Sequence, residues 1–227
     1  MITDKQNVFS TLLPIGDIIS EQDIETIKSN GQLISFQKKD VIFRQGTMTS
    51  HVMFLESGLV KLSREGRNQR SLILKITRPG EFIGLVSMFG DNNYQYSATA
   101  IENAKVFFID FNIFNSILLN NGKYAVYLLE NVSKDNLTIF DRIISQYQKQ
   151  LPGKIADIIL YFSNHIYKSE TFEFPITRNE LAELAGTTKE SFIRTLAEFK
   201  NDKIIEIQGK SIRINSIDII KTLSRLG

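Results

Sequence analysis

Apolar and polar positions along this chain keep two different periods, and the changes between them divide it. Ile18, Ile19, Ile24 and Ile27 recur at helical spacing, and Ser20 stands where a cap three residues before Asp23 belongs, so residues 1–30 are predicted as an amphipathic helical segment. From residue 31 to about residue 110 the period falls to two. Val60 and Leu62, then Leu72, Leu74 and Ile76, then Val106 and Phe108 alternate with other residues. Gly46, Gly58, Gly66, Gly80, Gly84 and Gly90 punctuate the run. Short alternating strands with recurrent glycine turns predict a β-sandwich or β-roll.

Helical spacing then returns. A short helix is predicted over residues 111–119 and a long one over about 123–150, which contains no Pro or Gly. The long helix carries two apolar seams that step by three and four. Leu129, Val132, Asn136, Ile139 and Ile143 form one; Leu137, Phe140, Ile144, Tyr147 and Leu151 form the other. One partner needs one stripe, so two stripes imply two partners: the β domain and a second copy of the same helix. The first seam is assigned to the dimer, because a lone Asn136 among apolar neighbours suits a residue that fixes the register of a helix pair. The plainer alternative is a helix sunk in one large core. Pro152 and Gly153 are expected to end the helix and to hinge it to a C-terminal domain, in which residues 155–166 predict a further apolar-faced helix.

Residues 177–194 read as two short helices around a tight turn. Thr177 with Glu180 forms a capping box, and Leu181, Leu184 and Ala185 give the first helix its apolar face. Gly186 supplies the left-handed residue that ends it, and Thr187 or Thr188 caps the second. Phe192 and Leu196 point inward, which leaves Lys189, Glu190 and Arg194 outside. An ordinary helical hairpin with a solvated face would share this pattern. The stretch after it argues otherwise: Ile205 and Ile207, then Ile212 and Ile214, alternate around Gln208, Gly209 and Lys210, the signature of a β-hairpin. Helix-turn-helix plus hairpin makes a winged helix, whose second helix reads bases in a major groove and whose wing brings Lys210 to phosphate.

Composition narrows the chemistry. With no cysteine among 227 residues, disulfides, thiol nucleophiles and cysteine-held clusters are excluded. The two histidines, His51 and His165, stand outside any ligand spacing, so no metal and no cofactor is expected. Nothing resembles a nucleophile with its base, so no catalytic residue is assigned; a cupin-like metal enzyme, the remote alternative, lacks the converging histidines it needs. No apolar run reaches membrane-spanning length and no secretion signal opens the chain, which predicts a soluble cytoplasmic protein that does not bind membranes. The net charge is +2. Basic and acidic residues balance up to Gln148, so the small surplus lies in the C-terminal part, in keeping with a DNA-binding module there.

Three stretches carry a resemblance to a known family. They are Lys39-Asp40-Val41-Ile42-Phe43-Arg44-Gln45-Gly46 with Ser57-Gly58-Leu59-Val60-Lys61-Leu62, then Pro79-Gly80-Glu81-Phe82-Ile83-Gly84, then Ile176-Thr177-Arg178 onward through Arg194. In order and spacing the chain resembles the Crp/Fnr superfamily of bacterial transcription regulators. The resemblance implies an α+β fold. A cyclic-nucleotide-binding-like β-roll with flanking helices would cover residues 1–122, a dimerisation helix 123–150, and a winged helix-turn-helix domain 151–227. It implies a homodimer on palindromic double-stranded DNA, with RNA polymerase as a partner if the protein activates.

In members of the catabolite-activator kind, a glutamate after the Gly-Glu-Phe-Ile-Gly turn holds the ribose of a cyclic nucleotide and an Arg-Ser or Arg-Thr pair holds its phosphate. Here those places read Leu85 and Tyr96-Ser97. A buried phosphate without a cation costs several kcal/mol, on the order of other unpaired buried charges, so cyclic AMP is not expected. A different small effector is expected, with Gly84, Leu85, Tyr96 and Ser97 as candidate contacts; the alternative is a ligand-independent regulator set by expression level. The family's base-reading positions fall on Lys189, Glu190 and Arg194. Thr177, Arg178, Thr188 and Ser191 at the two helix starts and Lys210 on the wing complete the expected DNA-contacting set.

Overall fold

The computed structural model describes residues 18–66 and 71–227, so the part of the predicted N-terminal helix before residue 18 lies outside the described residues. The chain divides into two compact units, one up to Leu137 and one from Thr138 onward.

The first unit opens with helix α1 (Glu21–Asn30), whose cap is Ser20, accepting from the Asp23 amide. Among the described residues eight strands follow, in two antiparallel sheets. One sheet runs β1 (Gly31–Phe36), β8 (Ala104–Asp110), β3 (His51–Ser57) and β6 (Phe82–Ile83). The other runs β2 (Val41–Phe43), β7 (Ser97–Ala100), β4 (Val60–Glu65) and β5 (Ser71–Thr77). Met53, Leu55, Val60, Leu62, Ala98 and Val106 meet in one core. On the other side of the first sheet, Val52, Phe54, Phe107 and Ile109 form a second core with Phe114 and Ile117 of α3 (Phe111–Asn120). That double burial explains why Val52-Met53-Phe54-Leu55 is a continuous apolar run: a strand covered on both faces has no polar side to show.

Strand β5 departs from its predicted alternation. Leu72 is 41% exposed, whereas Ile73 and Ile76 are buried. The register with β4 skips one residue, pairing Leu62 with Lys75 and Ser63 with Ile73. This bulge at Leu74 shifts the inward set by one position. It also delivers Lys75 to an ionic cluster, 2.9 Å from Glu81 and 2.6 Å from Asp135 on the following long helix. Burial alone would lower the Lys75 ammonium; the two carboxylates beside it prevail and hold it above the usual lysine range. Burial likewise opposes ionisation of Glu81, but Lys75 and Arg78 hold its carboxyl below the usual range.

The long helix, α4 (Gly122–Gln148), divides its apolar positions differently from the two seams expected. Tyr124 and Leu128 are buried against the β-roll core, with Tyr127 and Val132 packed on it. Val132, read from sequence as a dimer-seam residue, thus faces its own unit. Asn136 donates to the Val132 carbonyl of its own helix at 2.9 Å, and Ile139 is half-buried. The seam expected to cover the roll is open instead: Leu137, Phe140, Ile144 and Tyr147 are exposed, as are Val126, Leu129 and Ile143.

In the second unit Pro152 does not terminate α4. It sits in the first turn of α5 (Leu151–Leu160), where its missing N–H has no helical partner to lose, and the break falls at Lys149 and Gln150. The helix continues as a π-helix over Tyr161–Tyr167, ending at Lys168 in the left-handed region. The unit then adds β9 (Thr171–Glu173), α6 (Arg178–Ala185), α7 (Lys189–Asn201), β10 (Ile205–Gln208), β11 (Ser211–Ile214) and α8 (Ile217–Leu226). Its three-stranded sheet has the order β10-β11-β9, the third strand being one that alternation did not reveal. Asp157 of α5 gathers the end of α4 and α8: it accepts from Lys149 at 2.8 Å, from Ser224 at 2.5 Å and from Ser145.

Candidate nucleic-acid interface

Helices α6 and α7 form the predicted helix-turn-helix, and local chemistry sets each boundary. Thr177 caps α6, accepting from the Glu180 amide while the Glu180 carboxylate accepts from the Thr177 amide at 2.8 Å. Gly186 ends α6 at φ +64, and the Gln146 amide of α4 reaches the neighbouring Leu184 carbonyl at 3.1 Å. Thr188 caps α7 through the Ser191 amide at 3.2 Å. Leu181, Ala182, Leu184, Phe192 and Leu196 are all buried, which fixes the two helices against each other.

That packing turns Lys189, Glu190 and Arg194 outward, all three exposed. Ile193 lies between them, 43% exposed, an apolar group on an otherwise polar face. Its outward direction follows from its place one residue after the buried Phe192. Thr177, Thr188 and Ser191 use their side chains within the motif, as caps and in a Thr188–Ser191 hydroxyl pair at 3.1 Å. Arg178 is half-buried, donates to the Gly209 carbonyl at 3.3 Å and lies 5.3 Å above the centre of the Phe174 ring. Burial lowers its guanidinium below the ordinary range. It therefore ties the wing turn to α6, while Lys210 in that turn remains exposed. Sequence spacing placed Arg178 at a helix start; its link to the wing depends on where a strand thirty residues later returns.

Of the four candidate effector residues, Tyr96 is brought to the Gly84 backbone, while Leu85 is turned away from both. Gly84, at φ +91, leads into α2 (Leu85–Gly90), and Leu85 packs in the core shared with Phe54 and Phe114 on the other side of the sheet. Tyr96 is buried in the core between the sheets. Burial raises its phenol, opposed by hydrogen bonds with Ser87 and Gly84. The Ser97 hydroxyl accepts from the Gln45 amide at 2.9 Å. Phe43 stacks on Tyr94 with ring centres 3.7 Å apart and lies 5.8 Å from Tyr96. Burial also pushes the Tyr94 phenol up to about 12. At this level aromatic rings occupy the space between the sheets, and Ser97 serves the backbone.

Among the described residues no three His, Asp or Glu side chains form a metal-holding group, and no helix is long and apolar enough to cross a membrane.

Residues 33–121 match the family model of the cyclic nucleotide-binding domain, and residues 153–223 that of the Crp-like helix-turn-helix domain. The chain is 22% identical over 198 residues to the CRP-like cAMP-activated global transcriptional regulator of Mycobacterium tuberculosis, covering 86% of this chain and 88% of the relative. It is 23% identical over 203 residues to the anaerobic regulatory protein of Bacillus subtilis, covering 86% and 85%. Among solved structures, FixK2 from Bradyrhizobium japonicum shares the fold with a TM-score of 0.79 at 17% identity, over 85% of this chain and 96% of that one. A β-roll, a long helix and a helix-turn-helix follow one another in this order, and the chain is similar over most of its length to transcription regulators. The chain belongs to the Crp/Fnr family.

Proposed function

We propose that the protein is a homodimeric regulator that reads an inverted repeat in double-stranded DNA through α7. The observation that carries this reading is the exposed face of Lys189, Glu190, Ile193 and Arg194 on a helix whose opposite side is buried. Arg and Lys donate to guanine N7 and O6, Glu accepts from cytosine N4, and an apolar side chain suits a thymine methyl. Glu190 and Arg194 stand four residues apart, so the carboxylate can steady the guanidinium. Two-fold symmetry would come from the open stripe of α4, where Val126, Leu129, Leu137, Phe140, Ile144 and Tyr147 leave apolar surface uncovered in a single chain. RNA polymerase is the further partner this reading implies if the regulator activates.

Selection from random DNA tests the reading. An inverted repeat with half-site centres roughly 10–10.5 base pairs apart is expected, one turn of the duplex between two recognition helices. Lys210→Ala should weaken every sequence alike and reduce the salt dependence, because a wing lysine meets phosphate. A selected site without two-fold symmetry would overturn the dimeric reading.

The ring-filled middle of the β-roll favours a regulator that does not answer to cyclic AMP. Tyr96 stands where a cation for the phosphate is needed, and Leu85 faces another core. Calorimetry with cyclic AMP is expected to give no tight binding and no change in DNA affinity. Micromolar binding abolished by Ser97→Ala would reverse that conclusion. The same packing favours, as a second reading, control by the amount of protein rather than by a ligand at that place.

A further inference from the structure

A cavity of about 420 Å³ opens between β2 of one sheet and β3 and β8 of the other. Its volume falls in the range of pockets that hold small organic ligands, roughly 300–1,000 Å³. The floor is apolar and largely aromatic, made by Phe43, Met53, Tyr94 and Phe108. Because Phe43 and Tyr94 stack face to face at 3.7 Å, they wall this space off from the middle of the roll, where Tyr96 sits. None of Gly84, Leu85, Tyr96 and Ser97 lines it.

The rim is polar and carries positive charge. Arg44 lines the cavity, is exposed, and has no side-chain partner among the described residues. His51 lies beside it, with Nδ1 2.8 Å from the Ser50 hydroxyl and its ring edge-on to Phe108. Asp110, opposite His51 in the strand register, has a carboxylate oxygen accepting from the Asn112 and Ile113 amides at the start of α3.

The walls are held in place. The loop after β2 is bound to the segment before β7 by three backbone bonds: Gly46 N–H to the Tyr94 carbonyl at 2.7 Å, Tyr94 N–H to Thr47 at 2.9 Å, and Thr49 N–H to Asn92 at 2.9 Å. Gly46 and Asn92 adopt positive φ, +83 and +54, to make the two bends. The Gln45 amide adds its bond to Ser97. A ligand entering here would find its site already formed, which removes an ordering cost that otherwise weakens binding.

We propose that this cavity binds a small aromatic carboxylate, with its ring on the Phe43–Tyr94–Phe108 floor and its carboxylate against Arg44, His51 supplying a second polar contact. A neutral apolar molecule would leave the guanidinium unused, and inorganic phosphate would leave the aromatic floor uncovered. A charge-assisted bond between guanidinium and carboxylate is the strong polar contact available at such a rim.

Calorimetry on the full chain without DNA tests this, so the result does not depend on how the protein reads DNA. The probes are phenylacetate, its neutral isostere phenylacetamide, and acetate. Phenylacetate is expected to bind with a dissociation constant below about 1 mM. Phenylacetamide, lacking the charge, and acetate, lacking the ring, should each bind at least about tenfold more weakly. Arg44→Gln, a change on an exposed side chain, should bring phenylacetate to the level of the amide while the melting temperature of the free protein stays the same. Amide NMR shifts should centre on Phe43, Tyr94 and Phe108. Absence of phenylacetate binding, equal affinity for acid and amide, an unaffected Arg44→Gln variant, or shifts centred elsewhere would each overturn the proposal.

Discussion

Phe140→Glu is expected to give a folded monomer that no longer holds its DNA site tightly. Phe140 is 57% exposed in the single chain, so the substitution empties no core and circular dichroism should be unchanged. If the open stripe of α4 is the dimer seam, the same change places two unpaired carboxylates in a desolvated helix pair, at a cost of several kcal/mol. Ile144→Glu, one step along the stripe, should behave alike. A monomer engages one half-site at a time and loses the gain of linked binding, so affinity for the full inverted repeat should fall by about 10²–10⁴. Sedimentation and fluorescence anisotropy measure the two effects together. A persistent dimer with both variants would place the interface elsewhere.

Arg194→Ala is expected to erase a preference for guanine at one position of each half-site. The side chain is exposed on α7 and one turn beyond Glu190, so its removal disturbs neither the buried Phe192 nor the Thr188 cap. Loss of a bidentate guanine contact costs about 1–3 kcal/mol per half-site, and other positions in the selected sequence should stay sharp. Glu190→Ala should instead relax the neighbouring position where cytosine is read. An unchanged sequence preference in Arg194→Ala would mean that this face of α7 does not read bases as assigned.

The helix-turn-helix was legible because its signals are local. Thr177, Glu180, Gly186 and Thr188 each act within a few residues, and the structure uses each as the sequence implies. The strands of the roll were legible from their period, but the facing of β5 was not. Leu72, Leu74 and Ile76 alternate, yet a one-residue bulge opposite Leu62 and Ser63 decides which of them is buried, and nothing in the apolar pattern marks it. Both seams on α4 were visible; how they divide was not, because only the fold shows Val132 packed on the roll while Leu129 and Ile143 of the same seam stay open together with Leu137. Leu85 illustrates a third limit. Motif position placed it at a ligand site, whereas the turn at Gly84 sends it to the opposite side of the sheet.

The boundary between the two units falls within α4, after Leu137, and that has a practical consequence for dissecting the protein. A fragment begun at Leu151, where the sequence alone suggests the C-terminal domain starts, would discard the side chains that brace it. Asp157 would lose the ammonium of Lys149 and the hydroxyl of Ser145, and the Leu184 carbonyl beside the helix-turn-helix bend would lose Gln146. The C-terminal end of the long helix is thus as much a part of the DNA-reading half as the recognition helix and the wing. Swapping regulatory and DNA-reading halves between relatives should be done upstream of Thr138, in the stretch where α4 still leans on the roll.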